Sequence, residues 1–360
     1  MNRTQKIGLG LAVLAALSYG AYTTGKKDQQ TGFATKDSKK AELPEIKGSD
    51  DVDKLVLTNA DKGEVVLEKK ADKWEVTKPI KAPANQANVK SLIDNMKELK
   101  VSEQIEANAT DETKKSYQLD AAKVVRVAAY KGADKKVDNL FGKSGGRGQV
   151  MMVDGKPGVF IASGYSSYLY TREVKNWRDQ EMFKFDDANV TQLTIDKKGS
   201  VFSFTKADKW AGTFKGTAIA DMDEEKVKDA VRAFKSLNAD DFGDGKAAAD
   251  TGLDAPESIV TIALKETTTD AGVTPPQKLT LKVGKTSTGS NRYAQKEGDP
   301  TIYIIASFAA DWATAELPKF QKAKGDAGAP GKDVAKAPPM GMPMGMPGMP
   351  PGMPPGHPSH

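Results

Sequence analysis

The sequence predicts an α+β fold built twice. It reads as two tandem copies of one domain, each an antiparallel sheet with an amphipathic helix, after an N-terminal transmembrane helix. Three observations predict this. The pentapeptide Lys70-Ala71-Asp72-Lys73-Trp74 returns as Lys206-Ala207-Asp208-Lys209-Trp210, its tryptophan displaced by 136 residues. Downstream of each tryptophan runs an apolar stripe of one spacing. It is Val89, Leu92, Ile93, Met96 and Leu99 in the first copy, and Val227, Ala230, Val231, Phe234 and Leu237 in the second. Each stripe leads to a Leu-Asp pair (Leu119-Asp120, Leu253-Asp254), a strand-like run, and Gly142-Lys143-Ser144 or Gly284-Lys285-Thr286. Self-similarity of this kind marks a repeated structural unit, and a unit of about 130 residues has the size of an ordinary domain.

In chain order, residues 1–6 carry Arg3 and Lys6 and read as a cytoplasmic n-region. Residues 7–24 are uncharged and rich in small residues. As a helix they would reach about 27 Å, close to the hydrocarbon thickness of a bilayer. Lys26, Lys27 and Asp28 end the run. Such a segment is a cleaved signal peptide or an uncleaved signal anchor. Tyr19 and Tyr22 stand where cleavage wants small residues, which favours the anchor. The basic residues on its short side place the N-terminus in the cytoplasm and the body outside, an asymmetry that Lys26 and Lys27 weaken. Residues 25–50 are polar and read as a flexible stalk.

Repeat one, residues 51–185, opens with Leu55 and Leu57 alternating with polar neighbours, a turn at Asp61-Lys62-Gly63, and a second run over 64–68. That is a hairpin signal. Repeat two, residues 186–322, matches it over 190–196, Lys197-Lys198-Gly199 and 200–205. A third strand carries Trp74 or Trp210, each a large core residue rather than a platform for a ligand. Asn85 or Asn88 is expected to cap the first helix, and Asp221 with Glu224 fits a capping box for the second. The stripes form one apolar face, which packs on the neighbouring sheet. Strand-like runs follow over 124–130, 137–141, 149–153 and 159–162, and again over 258–265, 278–283, 291–295 and 301–305. The tight turns between them, such as Gly145-Gly146 and Gly298-Asp299-Pro300, imply antiparallel pairing. A shorter helical segment closes each copy, near 166–176 and 308–315, and Trp177-Arg178-Asp179 bridges the two. Residues 323–360 are rich in Ala, Gly, Pro and Met, a composition that cannot bury a core and whose default is disorder.

Composition narrows the chemistry. With 38% hydrophobic and 28% charged residues, two domains of this size can each bury a core. The net charge of +5 is spread through the body without a basic stripe, which argues against nucleic acid as a partner. Cysteine is absent, so disulfides, thiol nucleophiles and cysteine-ligated metals are excluded, as is a lipid-modified N-terminal cysteine. The two histidines, His357 and His360, both lie in the tail. The body therefore lacks the commonest general base, and with it Ser-His-Asp hydrolysis and histidine-ligated zinc.

Several motifs tempt. Gly142-Lys143-Ser144 and Gly284-Lys285-Thr286 look like the end of a phosphate-binding loop. That loop needs a glycine where Val137 and Leu279 stand, and a helix afterwards, so both read as turns after a strand. Asp241-Phe242-Gly243 spells a kinase tripeptide without the rest of a kinase. Asp240, Asp241 and Asp244 form an acidic turn that misses the spacing of a calcium loop. Six tail methionines, Met340 to Met353, stand beside His357 and His360, and thioethers suit Cu(I). The bland reading is a drifting Pro/Gly/Met repeat.

One resemblance gathers these features. Hairpin, tryptophan strand, amphipathic helix, the segments Tyr117 to Asp120 and Thr251 to Asp254 with Pro256, a strand ending in Gly-Lys, and Trp177-Arg178-Asp179 follow one another here. The order resembles the bacterial domain-of-unknown-function family numbered four-three-four-zero, over about residues 50–322. Gly216-Thr217 replaces the Lys78-Pro79 of repeat one, and the tail is outside the pattern. The resemblance implies a membrane-anchored envelope protein, commonly encoded beside gliding-motility-type ABC transporters, and carries over no catalytic, cofactor or metal residue. The reading is a non-catalytic accessory or scaffold subunit of an ABC-type transport complex. Its body sits in the periplasm, and its partners are the membrane and a transporter permease or other envelope protein. The alternatives are an extracytoplasmic enzyme acting on envelope glycan through carboxylates, and a metal-handling protein working through its tail.

Overall fold

A computed structural model describes residues 43–46, 51–269 and 272–323. The n-region, the expected transmembrane anchor at 7–24, most of the stalk and nearly all of the tail lie outside the described residues. Among the described residues no helix is long and apolar enough to cross a membrane. The protein is α+β, with two large antiparallel sheets and few helices.

Repeat one runs β1 (Lys54–Asn59), β2 (Gly63–Lys70), β3 (Lys73–Lys78), β4 (Ala82–Pro83), α1 (Gln86–Glu98), β5 (Lys100–Glu106) and α2 (Asp111–Ser116). It continues with β6 (Val125–Lys131), β7 (Asp134–Gly145), β8 (Gly148–Val153), β9 (Val159–Ser163), α3 (Ser167–Tyr170) and α4 (Val174–Trp177). The strands form one sheet in the order β4-β3-β2-β1-β6-β7-β8-β9-β5. Helix α1 therefore carries the chain from one edge of the sheet to the other.

Strand period two and helix period 3.6 explain the core. Leu55 and Leu57 of β1, Val65 and Leu67 of β2, Trp74 and Val76 of β3, and Val127 and Ala129 of β6 all point to one face. There they meet Val89, Leu92 and Met96 of α1, together with Leu99. The Asn85 side chain caps α1, its Oδ1 accepting from Asn88 N at 3.0 Å. A smaller apolar cluster, Leu119, Val150, Val159 and Ile161, forms apart from this core.

Repeat two runs β10 (Val190–Lys197), β11 (Ser200–Lys206), β12 (Trp210–Phe214), β13 (Thr217–Ala218), α5 (Glu224–Lys235), β14 (Asp241–Phe242) and α6 (Ala248–Thr251). Then come β15 (Ser258–Leu264), β16 (Thr267–Thr269), β17 (Gly272–Thr274), β18 (Gln277–Thr286), β19 (Arg292–Lys296), β20 (Tyr303–Ile305) and α7 (Ser307–Ala313). The sheet order is β13-β12-β11-β10-β15-β18-β19-β20-β14, element for element that of the first sheet. The β16–β17 hairpin is an addition with no counterpart in repeat one.

The helix cap of repeat two differs from expectation. Asp223, not Asp221, caps α5: its Oδ1 accepts from Glu225 N at 3.0 Å. Asp221 sits at φ +52°, a left-handed turn conformation two residues too early.

By internal contacts the chain divides into two compact units. Among the described residues, the first extends to Lys184 and includes Ser236–Lys246 and Pro300–Ala306; the second holds Phe185–Lys235, the residues between Ala247 and Asp299, and 307–323. Strands β14 and β20 thus belong with the first unit.

Candidate functional site

The motifs that look catalytic have structural jobs. Gly142-Lys143-Ser144 and Gly284-Lys285-Thr286 are not turns; they lie within β7 and β18, where the register shifts as in a bulge. A Cβ on Gly142 would stand 2.1 Å from the Tyr117 carbonyl oxygen, and one on Gly284 2.2 Å from that of Thr251. Only glycine lets the preceding segment cross so close to the strand. In repeat one the crossing is sealed by Lys143 N, which donates to Tyr117 O at 2.8 Å.

The acidic turn is already answered by a cation. Arg178, buried at 4% exposure, donates through Nη1 to Asp244 Oδ2 at 2.5 Å. Its guanidinium lies 3.4 Å from the centroid of the Phe242 ring, and Lys175 stands 3.5 Å from Asp241. The bridging Arg178 and the kinase-like tripeptide are thus parts of one packed corner in the first unit. Trp74 and Trp210 keep 8% and 7% exposure, as core residues do.

A broader feature lies on the outer face of the first sheet. The residues between the core positions point there, and cross-strand register sets them in rows. Lys78 is opposite Val66, Val66 opposite Val56, Val56 opposite Ala128, and Ala128 opposite Asp138. One open concavity of about 730 Å³ includes Lys54, Glu64, Glu68, Lys78, Arg126 and Tyr130 in its lining. A second of about 550 Å³ continues past Arg126 over Asp138, Leu140, Met152 and Asp154.

The charges on this face neutralise one another. Lys54 pairs with Glu68 at 3.1 Å and Lys78 with Glu64 at 3.6 Å. At the centre Arg126 grips Asp138 with two bonds, Nε to Oδ1 at 2.7 Å and Nη2 to Oδ2 at 2.5 Å. Lys135 bridges Asp138 at 3.1 Å and Asp154 at 2.9 Å. Burial alone would raise the Asp138 carboxyl, but the hydrogen bonds from Arg126 and Lys135 outweigh it and hold the group below the usual aspartate value. Sequence reasoning did not find this network, because Arg126 and Asp138 become neighbours only through strand pairing. The period-two alternation that places both opposite the core was the available signal. Among the described residues no group of three or more His, Cys, Asp or Glu side chains is placed to hold a metal ion.

A family model described as "Domain of unknown function (DUF4340)" matches residues 74–256 and 244–324. The chain belongs to that family. The first DUF4340 match begins at Trp74 and runs past the end of repeat one. No curated protein and no solved structure matches the chain.

Proposed function

We propose that this DUF4340 protein is a non-catalytic accessory or scaffold subunit of an ABC-type transport complex in the cell envelope. In this reading residues 7–24 anchor it in the cytoplasmic membrane and its body faces the periplasm. Its partner there is a transporter permease or another envelope protein. The observation that carries the reading is the outer face of the first sheet, which is broad, open and self-neutralised. A face of that form suits contact with another macromolecule better than turnover of a small substrate, which favours an enclosed apolar pocket with a few convergent polar groups. The described carboxylates with a resolved shift, Asp51, Asp138 and Asp187, are all held low by cationic partners. A glycosidase acid needs the opposite direction.

The test is co-purification of the full chain from membranes in mild detergent, beside a variant with Val56→Glu and Leu140→Glu on the outer face. The expected result is a transporter subunit retained with the wild type and lost with the variant, while both stay in the membrane pellet after a high-salt wash. Turnover of an envelope glycan by the homogeneous protein, abolished by loss of one acidic side chain, would replace this reading with the enzymatic one. Copper tolerance that follows the tail, with no partner retained, would replace it with the metal-handling one.

A further inference from the structure

The Gly142-Lys143-Ser144 segment, excluded as a phosphate loop, forms part of a different pocket. Strand β7 turns into β8 through Gly145-Gly146-Arg147-Gly148. Beside this turn lies a concavity of about 280 Å³ lined by Ile105, Tyr117, Lys143, Arg147, Val150 and Ile161. Its apolar wall is firm: Val150 and Ile161 are buried, and Ile105 and Tyr117 pack on the same cluster. Its cations are loosely held. Lys143 Nζ stands over the Tyr117 ring, 4.8 Å from the centroid, and among the described residues no carboxylate or carbonyl takes it. Arg147 reaches Glu103 at 3.1 Å, with both side chains exposed, and such surface pairs open easily.

The turn is braced from within by a neutral residue. Gln149, 3% exposed, accepts from the Ser144 hydroxyl at 2.5 Å and donates to the carbonyls of Gly142 at 2.8 Å and Val150 at 2.9 Å. Repeat two uses cations for the same work. Arg292 donates to the Gly284 carbonyl at 3.0 Å and pairs with Glu257, while Lys285 Nζ donates to the Ala249 carbonyl at 2.9 Å. In repeat two these charges hold the fold. In repeat one Gln149 does so, and Lys143 and Arg147 are left at an open pocket with an apolar wall.

We propose that this pocket binds one small amphiphilic anion: a carboxylate or phosphate monoester on a short apolar or aromatic body. The ammonium of Lys143 and the guanidinium of Arg147 take the charged head, and Ile105, Val150, Ile161 and the Tyr117 ring take the body. The volume falls just below the usual range for small-molecule sites, about 300–1,000 Å³, so one such unit fills it. The site is a property of repeat one and does not depend on the transport reading above.

The experiment is titration of the full chain with phenyl phosphate, hexanoate and inorganic phosphate, followed by calorimetry and by amide shifts at Gly145, Gly146 and Lys143. Phenyl phosphate and hexanoate should bind saturably, and inorganic phosphate at least tenfold more weakly because it leaves the apolar wall unused. Lys143→Gln should weaken both organic anions by about tenfold, the loss of one charge-assisted contact. Gly146→Glu tests the site without threatening the fold, since a Cβ there meets nothing within 4 Å. It should abolish binding by placing a competing carboxylate at the cations. Lys285→Gln, in repeat two, should leave all three affinities unchanged. The proposal is overturned by any of three results: no saturable binding up to about 10 mM, affinities unchanged in both Lys143→Gln and Gly146→Glu, or inorganic phosphate binding as tightly as the organic anions.

Discussion

At the scale of the residue, a single missing methyl group decides the strongest local geometry in both copies. Gly142 and Gly284 pass within van der Waals limits of a backbone carbonyl, so an alanine must push backbone rather than a flexible side chain. Gly142→Ala and Gly284→Ala should each cost about 1–3 kcal/mol of the kind seen on overpacking. Gly145→Ala, where a Cβ meets nothing, should stay within about 0.5 kcal/mol; equal denaturant midpoints for all three would refute the steric account. The sequence flagged the Gly-Lys pairs but not their reason, which lies in Tyr117 and Thr251 more than 20 residues earlier. Asp138 makes a second prediction. Its folded-state pKa is depressed, so its contribution is complete above the ordinary aspartate value near 3.8 and is lost as pH falls through the folded value. Asp138→Asn should cost about 1–3 kcal/mol at neutral pH. The stability gap to wild type should narrow below about pH 4, and a gap constant from pH 7 to pH 2 would show that the carboxylate charge is not what matters.

Elements were legible where periodicity reports a face. Both helix stripes lie inside: Val89, Leu92 and Met96 are at most 1% exposed, and Val227, Ala230 and Phe234 are fully buried. Met96→Ala should therefore cost about 2–5 kcal/mol and Phe234→Ala about 3–5 kcal/mol. The measurement is urea unfolding of each variant, and unchanged midpoints would mean the stripes are not packed. Strand β5 escaped the sequence because it has no clean alternation. Lys100, Glu103 and Glu106 punctuate it, and it is a strand only because it pairs with β9, with two irregularities in register. Helix α2 is short and polar, yet Thr110 caps it by accepting from Thr113 N at 3.1 Å. The Thr110 cap is legible in the sequence, but no apolar stripe follows it to mark a helix. The β16–β17 hairpin could not be inferred from the duplication, since only one copy has it.

At the scale of the whole molecule, the duplication extends to single backbone bonds. Asn85 N donates to the Trp177 carbonyl at 2.8 Å, and Asp223 N to the Phe320 carbonyl at 2.9 Å. Each links the start of the long helix to the end of its own copy. The second of these lies close to the end of the described chain, so a chain ending at Lys322 keeps every contact named here. It should melt within about 2 °C of full length, the shift of well under 1 kcal/mol in domains of this size; a larger loss would give the tail a structural role. By itself the sequence determined the α+β class, the duplication, the faces of the long helices and the hairpins that open each copy. These follow from periods of two and 3.6 residues, which any short window displays. Tertiary structure alone decided the sheet order, the far-edge placement of β5, the Arg126–Asp138–Lys135 network and the pocket beside Gly145-Gly146. It alone also decided that residues 236–246 and 300–306 fold with the first unit, where Arg178 meets Asp244 and Phe242. Those outcomes depend on which distant strands and charges come to pair, and local periodicity carries no record of a partner far along the chain.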